Sequence, residues 1–425
     1  MTTLDDWTGD VHAGDAFDVL PDLPDESIHA CITDPPYGLA FMGRDWDDFE
    51  PREYQEWAEE WSREVRRVLK PGGHLLAFSG NRTHHRLFTG VEDAGFEIRD
   101  TLTWHYGSGF PKASDVSKTI DKRADAEREV VGENPHRRTG RESSNTHNRG
   151  AEAVASKHIT EPATDAAREW DGWKTGLKPA TEFVVMARKP YEGATVDSVL
   201  ENGTGALNID ATRIGTDEAK FNDSVAYGGK EGTNPEKYGE YDRGGDVEYE
   251  DPPEGRYPSN VIFDEVAADA LDREVGESSS NVREATGNAK MNPGGTNAMR
   301  EMPTPDTQDR GFNDSGGPSR YFYTSKASRS ERTDDGAIEN DHPTVKPVDL
   351  MKWLVRLVTR EDQVVLDPFA GSGTTAVAAK DLGREFVAIE RQAKYVSLAQ
   401  ARIGIDVDDP SVVREADAAG LDDFA

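Results

Sequence analysis

Basic residues are scarce in this chain. Acidic residues number 81 against 49 Lys and Arg, which leaves a formal net charge of −32. Cysteine is nearly absent. Cys31 stands alone, which excludes an internal disulfide and a multi-cysteine zinc site. It lies in an apolar run and reads as inert core. Long apolar runs are missing too: nothing reaches the about 18 residues of a membrane-crossing helix, so no membrane partner is expected. The opening "MTTLDDWTGD" has no basic stretch followed by an apolar one, so a cytoplasmic protein without a secretory signal is expected. No cluster with metal-ligand spacing stands out, and no metal is expected.

The acidity needs a cause. Intrinsic disorder fits poorly, because 35% of the 425 residues are hydrophobic and gather into strand-like runs. General solubility is the bland reading. Adaptation to high internal salt explains more. The acids are spread along the whole chain, and arginine outnumbers lysine. At salt near 1 M the screening length falls to about 3 Å, so an acidic surface no longer repels itself. A halophilic protein is expected.

Short apolar runs alternate with helical patterns at both ends of the chain. "DVHAGDAFDVL" predicts a strand ending near Gly14, and "SIHACITDPPY" a second. In "REYQEWAEEWSREVRRVLKPGG", Tyr54, Trp57, Trp61, Val65, Val68 and Leu69 recur at three- and four-residue spacing, a helix stopped by the Lys70–Gly73 turn. "HLLAFSG" and "GFEIRDTLTWHY" predict two more strands. After a long polar stretch, "EFVVMA" predicts another. "PVDLMKWLVRLVT" then reads as a helix, "QVVLDPFAGSGTT" as strand, glycine turn and helix, and "REFVAIE" as a strand ending at Glu390. Alternation of this kind predicts an α/β fold with a parallel sheet.

Two strand ends carry chemistry. In "VVLDPFAGSGTT" an apolar strand runs into a glycine turn and then a helix, the arrangement by which a sheet's carboxyl edge holds a nucleotide-like ligand. The turn lacks the lysine of a phosphate-binding loop, so the ligand need not carry phosphate. An acid at the next strand end, Glu390, suits ribose hydroxyls. The second site is "ITDPPYGLA". Asp34 ends a strand and so points to the ligand crevice. Pro35 and Pro36 stiffen the turn and leave carbonyls as acceptors. Tyr37 offers a flat ring. Acceptors beside an aromatic face suit a planar group bearing an NH2. The plain structural alternative is a rigid proline turn capping a strand.

"DPPY" together with "DPFAGSGTT" resembles the amino-group DNA methyltransferases, which modify N6 of adenine or N4 of cytosine. "RVLKPGGHLLAF", "HPTVKPVDLMKWLV" and "LGREFVAIERQAKYVSLAQARI" extend the likeness. The order, catalytic turn first and cofactor turn last, is similar to the family's beta class. "GSGFPKASDVSK", "GTGALNIDATRI" and "YFYTSKASRSER" resemble a phage-associated branch of haloarchaeal type. The resemblance implies a Rossmann-like S-adenosylmethionine-dependent sheet, circularly permuted, with a large inserted target-recognition region. It implies catalytic roles for Asp34, Pro35, Pro36 and Tyr37. On the cofactor side it implies Glu390 at the ribose, Asp15 at the adenine, Phe369, Gly371 and Gly373 along the turn, and Asp367 and Lys346 near the methionine part. The implied reaction is methylation of adenine N6 in double-stranded DNA by a restriction-modification type of enzyme that flips its base, with N4-cytosine as the alternative. A homodimer and a cognate restriction enzyme are compatible partners.

In these terms 1–111 and 336–405 are the catalytic and cofactor-binding halves of one domain. Residues 112–170 form a polar mobile insert, 171–192 a core-strand region, 193–335 the target-recognition region and 406–425 an acidic tail. DNA contacts are expected from local basic patches: Arg137, Arg138 and Arg141, then Lys326, Arg329 and Arg332.

Overall fold

The computed structural model describes residues 3–39, 47, 49–107, 109, 113–133, 158–215, 255–279, 315–325 and 345–407. It resolves into two compact units. One comprises 1–207, 260–267 and 325–425; the other comprises 208–259 and 268–324.

The first unit is built on a mostly parallel sheet. Its strands are β1 (Asp10–Ala13), β2 (Ile28–Thr33), β3 (Leu69–Ser79), β4 (Glu97–His105), β5 (Thr181–Arg188), β6 (Val261–Asp264), β7 (Val364–Asp367) and β8 (Glu385–Glu390). They lie in the order β1, β8, β7, β2, β3, β5, β4, β6. β1, β8, β7, β2 and β3 are mutually parallel. β5 runs antiparallel to both β3 and β4. The last strands of the chain are thus inserted between the first two. That is the circular permutation expected from the sequence, and it brings the ends of β1, β8, β7 and β2 to one edge.

Helix α1 (Pro51–Val68) shows how pattern becomes packing. Proline sits in its first turn, where a missing N–H costs nothing, and Glu50 with Glu53 closes a capping box. It buries Tyr54, Ala58, Trp61, Val65 and Val68, which join Leu75, Val185, Leu366 and Ile389 of the sheet in one core. Cys31 is fully buried there, and burial pushes its thiol well up from the ordinary range. One boundary differs from the sequence reading. β3 starts at Leu69, ahead of the Lys70–Gly73 turn, because Leu69 already pairs with Ile28 before a register shift. Helix α2 (His84–Asp93) packs nearby, and His84 stacks on Phe183 at 4.2 Å. Helices α3 (Val348–Val358), α4 (Thr374–Asp381) and α5 (Ala393–Ile403) lie in the C-terminal part of the chain.

The stretch 112–170, expected to be a loose insert, holds ordered pieces among its described residues. Asp115 caps a helix over Val116–Arg123. Asp121 of that helix is buried and accepts from Arg128 at 2.6 Å, from the amides of Ala163 and Thr164 at 3.0 Å each, and from the Thr164 hydroxyl at 2.8 Å. Polar residues build this piece through a satisfied buried carboxylate, which hydrophobic periodicity does not reveal.

In the second unit, Ile214 and Arg256 form an antiparallel bridge, and Ser278–Ser279 pairs with Ser315–Gly316. Asp272 accepts from the amide and hydroxyl of Ser319 at 2.8 and 2.6 Å. The guanidinium carbons of Arg256 and Arg320 lie 4.6 and 4.4 Å from the centre of the Tyr321 ring.

Candidate active site

The ends of β7 and β8 are tied by hydrogen bonds to their buried carboxylates. Glu390, the last residue of β8, is almost fully buried. Its Oε2 accepts the Gly371 amide at 2.9 Å, and its Oε1 accepts the Gln392 amide at 2.7 Å. Burial raises its pKa, and the two amides offset part of that. Asp367 ends β7. Its Oδ1 accepts from Thr33 at 2.7 Å and from the Phe369 amide at 3.1 Å; its Oδ2 accepts from Thr375 at 2.6 Å. Burial pushes this carboxyl up to about 6 despite those bonds. Asp367 therefore knots β2, the glycine turn and α4 together.

The turn needs its glycines. Gly371 and Gly373 have φ of 53° and 77°, in the left-handed region. A Cβ on Gly373 would also come within 2.7 Å of the Ala399 Cβ on α5. Phe369 points back to the core, edge-on to Trp61 at 5.5 Å. Asp15 follows β1, accepts the Phe17 amide at 3.1 Å and lies 3.5 Å from Arg391. Its side chain is 36% exposed, unlike those of Glu390 and Asp367.

A second cluster, around Asp34, is built from side chains far apart in sequence. Asp34 follows β2. Its Oδ2 accepts from Lys346 Nζ at 2.5 Å, and its Oδ1 faces the Tyr37 hydroxyl at 2.8 Å. The same hydroxyl lies 3.0 Å from Glu182 Oε2, and Lys346 Nζ lies 3.3 Å from that oxygen. Lys346 also donates to the Tyr37 oxygen at 3.2 Å. Its ammonium sits 4.8 Å from the centre of the Phe78 ring. Burial alone would lower the Lys346 pKa, but Asp34 and Glu182 raise it overall, so the ammonium stays charged. Burial and the same two acids push the Tyr37 phenol well above its ordinary range. Pro35 is buried. The Pro36 carbonyl, read from sequence as a free acceptor, is taken by the Tyr54 hydroxyl at 2.9 Å. The Tyr37 carbonyl accepts from Thr83 at 2.6 Å.

The structure thus gathers Asp34, Tyr37 and Lys346 in one cluster and Asp367, Glu390, Gly371 and Gly373 in another along the same edge. Lys346, expected beside the methionine part of a cofactor, has its hydrogen bonds with Asp34 and Tyr37. Glu182 was not singled out by sequence. The one available signal is its place as the polar residue opening "EFVVMA", which any strand start shares. Arg137, Arg138, Arg141, Lys326, Arg329 and Arg332 lie outside the described residues. Among the described residues no group of His, Cys, Asp or Glu could hold a metal ion, and no helix is long and apolar enough to cross a membrane.

The pattern of the N6/N4 DNA methylase family matches residues 28–401, from β2 through α5. The chain belongs to that family. The methylase is 23% identical to the type II methyltransferase M.HindIII of Haemophilus influenzae, over 93% of this chain and 95% of that one. Among solved structures, it is similar to the PvuII DNA methyltransferase, described as cytosine-N4-specific, with a TM-score of 0.44 and 15% identity over 94% of this chain and 87% of that one. The M1.HpyAVI–SAM complex matches with a TM-score of 0.36 and 16% identity, over 93% of this methylase and 98% of that chain.

Proposed function

We propose that this DNA methyltransferase modifies the exocyclic N6 of adenine in double-stranded DNA, at a defined sequence, as a beta-class member of its family. One observation carries the reading. Asp34, a partly exposed carboxylate, stands at the end of β2 on the sheet edge that also bears Glu390 and Asp367. An acid there favours adenine, since many N4-cytosine members of the family resembled carry serine at that place.

S-adenosylmethionine, the methyl donor, supplies an activated methyl group. The residues present suit it. Each Glu390 oxygen accepts one amide and keeps a second lone pair for a ribose hydroxyl. Asp15 keeps acceptor capacity for an adenine amino group. The glycine turn between them lets the backbone approach closely.

On the target side, the amine lone pair of the base is delocalised into its ring and is a poor nucleophile. Asp34 and the Pro35 carbonyl accept its hydrogens and favour the pyramidal geometry of the transition state. Holding the amine in line supplies much of the rate. A base in a duplex must first leave the stack, which costs a few kcal/mol. Stacking on Tyr37 offsets about 1–3 kcal/mol of that. Tyr37 is held at both its backbone carbonyl and its hydroxyl, so little freedom is lost on stacking. After transfer the spare proton leaves through Asp34 or to water.

The test is to incubate the protein with labelled S-adenosylmethionine and DNA, then digest to nucleosides. Labelled N6-methyl-2′-deoxyadenosine is expected. Labelled N4-methyl-2′-deoxycytidine would overturn the adenine assignment and leave the family intact.

A further inference from the structure

Glu182 has no place in the chemistry described so far, yet it touches every polar member of the target cluster but Asp34. It lies 3.0 Å from the Tyr37 hydroxyl and 3.3 Å from Lys346 Nζ. The Tyr37 hydroxyl has one proton and two carboxylates in reach, so it can donate to only one at a time. Lys346 has three protons and three acceptors around it: Asp34, Glu182 and the Tyr37 oxygen. Without Glu182 the cluster would be one ammonium closed on one carboxylate. Asp34 would then be neutralised as an acceptor, with no negative charge left over to balance the charge arriving at the amine. With Glu182, two carboxylates surround one ammonium and a negative charge remains.

That surplus matches what the reaction needs. As the new N–C bond forms and the S–C bond of the donor breaks, the positive charge of the sulfonium passes to the amine nitrogen, which then releases one proton. The charge arrives beside Asp34 and within the field of Lys346. We propose that Glu182 is a positioning residue for methyl transfer: it shares the charge of Lys346 and the proton of Tyr37 with Asp34, so that Asp34 keeps acceptor capacity for the target amine. The side chain is 20% exposed at the start of β5, so it serves the crevice rather than the core. The other charged or titratable groups facing it are Lys346, Asp34 and Tyr37, with the Tyr106 phenol from the end of β4 coupled to both Glu182 and Lys346.

The inference rests on Asp34 as the acceptor of the amine, and the experiment separates the two ideas. Single-turnover methylation is measured for the wild type, Asp34→Asn, Glu182→Gln, Glu182→Asp, Lys346→Met and the double variant Glu182→Gln/Lys346→Met. Calorimetric S-adenosylmethionine affinity and circular dichroism are followed on the same preparations. Glu182→Gln should slow transfer roughly 10²-fold with cofactor affinity unchanged. Glu182→Asp should recover part of the rate. Removing Lys346 as well restores the charge balance, so the double variant should be faster than the product of the two single losses. A readout independent of turnover is the titration of Lys346 by NMR in protein without cofactor: its pKa should fall in Glu182→Gln. An active Asp34→Asn would break the site reading itself. With Asp34→Asn inactive, a wild-type rate for Glu182→Gln, or strict multiplicativity in the double variant, would overturn the role of Glu182 alone.

Discussion

Glu390 and Asp34 occupy the same sheet edge but are held in opposite ways. Glu390 is fixed by backbone amides 19 and 2 residues away along the chain. Asp34 is fixed at one oxygen by Lys346, 312 residues away, and Lys346 is shared with Glu182. Tyr37 and Glu182 are themselves 145 residues apart. The first arrangement forms wherever a strand, a glycine turn and a helix follow one another. The second exists only once β2, β5 and the segment before α3 have come together. A carboxylate held by backbone amides keeps its place when side chains around it change. A carboxylate held by side chains from distant segments is sensitive to change at each of them.

That contrast is open to breaking. The largest effect is expected at Asp34. Asp34→Asn keeps the shape and removes the charge that Lys346 and the amine both use. Methyl transfer should drop about 10³-fold on folded protein. A rate within a few-fold of wild type would mean that the target cluster is structural.

Asp367 separates the two clusters by pH. Its carboxyl is pushed up to about 6 in the folded protein against an ordinary 3.8. Between those values the folded state binds more protons than the unfolded one, so stability from this group is lost as pH rises through that window. Urea unfolding of the wild type and Asp367→Asn, compared across pH 4 to 6.5, should show up to about 3 kcal/mol more loss in the wild type. Parallel curves would show that Asp367 ionises normally.

Tyr37 and Glu390 should fail in different assays. Tyr37→Ala removes the stacking platform, about 1–3 kcal/mol, and should slow methylation of duplex DNA. Tyr37→Phe keeps the ring and should fall between wild type and Ala. Equal rates for Phe and Ala would argue against stacking. Glu390→Ala should leave two ribose hydroxyls unpaired, weakening cofactor binding by roughly 1–3 kcal/mol in calorimetry while DNA affinity holds. An unchanged cofactor dissociation constant would remove Glu390 from the ribose.

The smallest effect, a change of a few-fold, is expected from salt and touches neither cluster directly. With a net charge of −32, the protein repels itself and DNA at low ionic strength. Methylation rate should rise from dilute buffer toward molar potassium chloride before counterion competition lowers it. A monotonic fall with an unchanged circular dichroism spectrum would show that the acidity is not an adaptation to salt.

Much of this protein was legible in its residues. The strands, the helix over 51–68, the glycine turn and the acids at Asp34, Asp367 and Glu390 follow from periodicity and from local turn chemistry, which act within one or two turns of chain. The motif order even indicated the permutation. The ordered part of 112–170 escaped, because its core is a satisfied carboxylate, Asp121, and carries no apolar pattern. Glu182 escaped because a polar residue opening a strand is common to every sheet. Lys346 stood out in the sequence after "HPT", but its pairing with Asp34 and Glu182 did not. Sequence alone determined which side chains stand at strand ends, since that depends on neighbours a few residues away. Only the tertiary structure decided which of them meet, because hydrogen bonds and ion pairs act over a few ångströms while the chain separates their members by hundreds of residues.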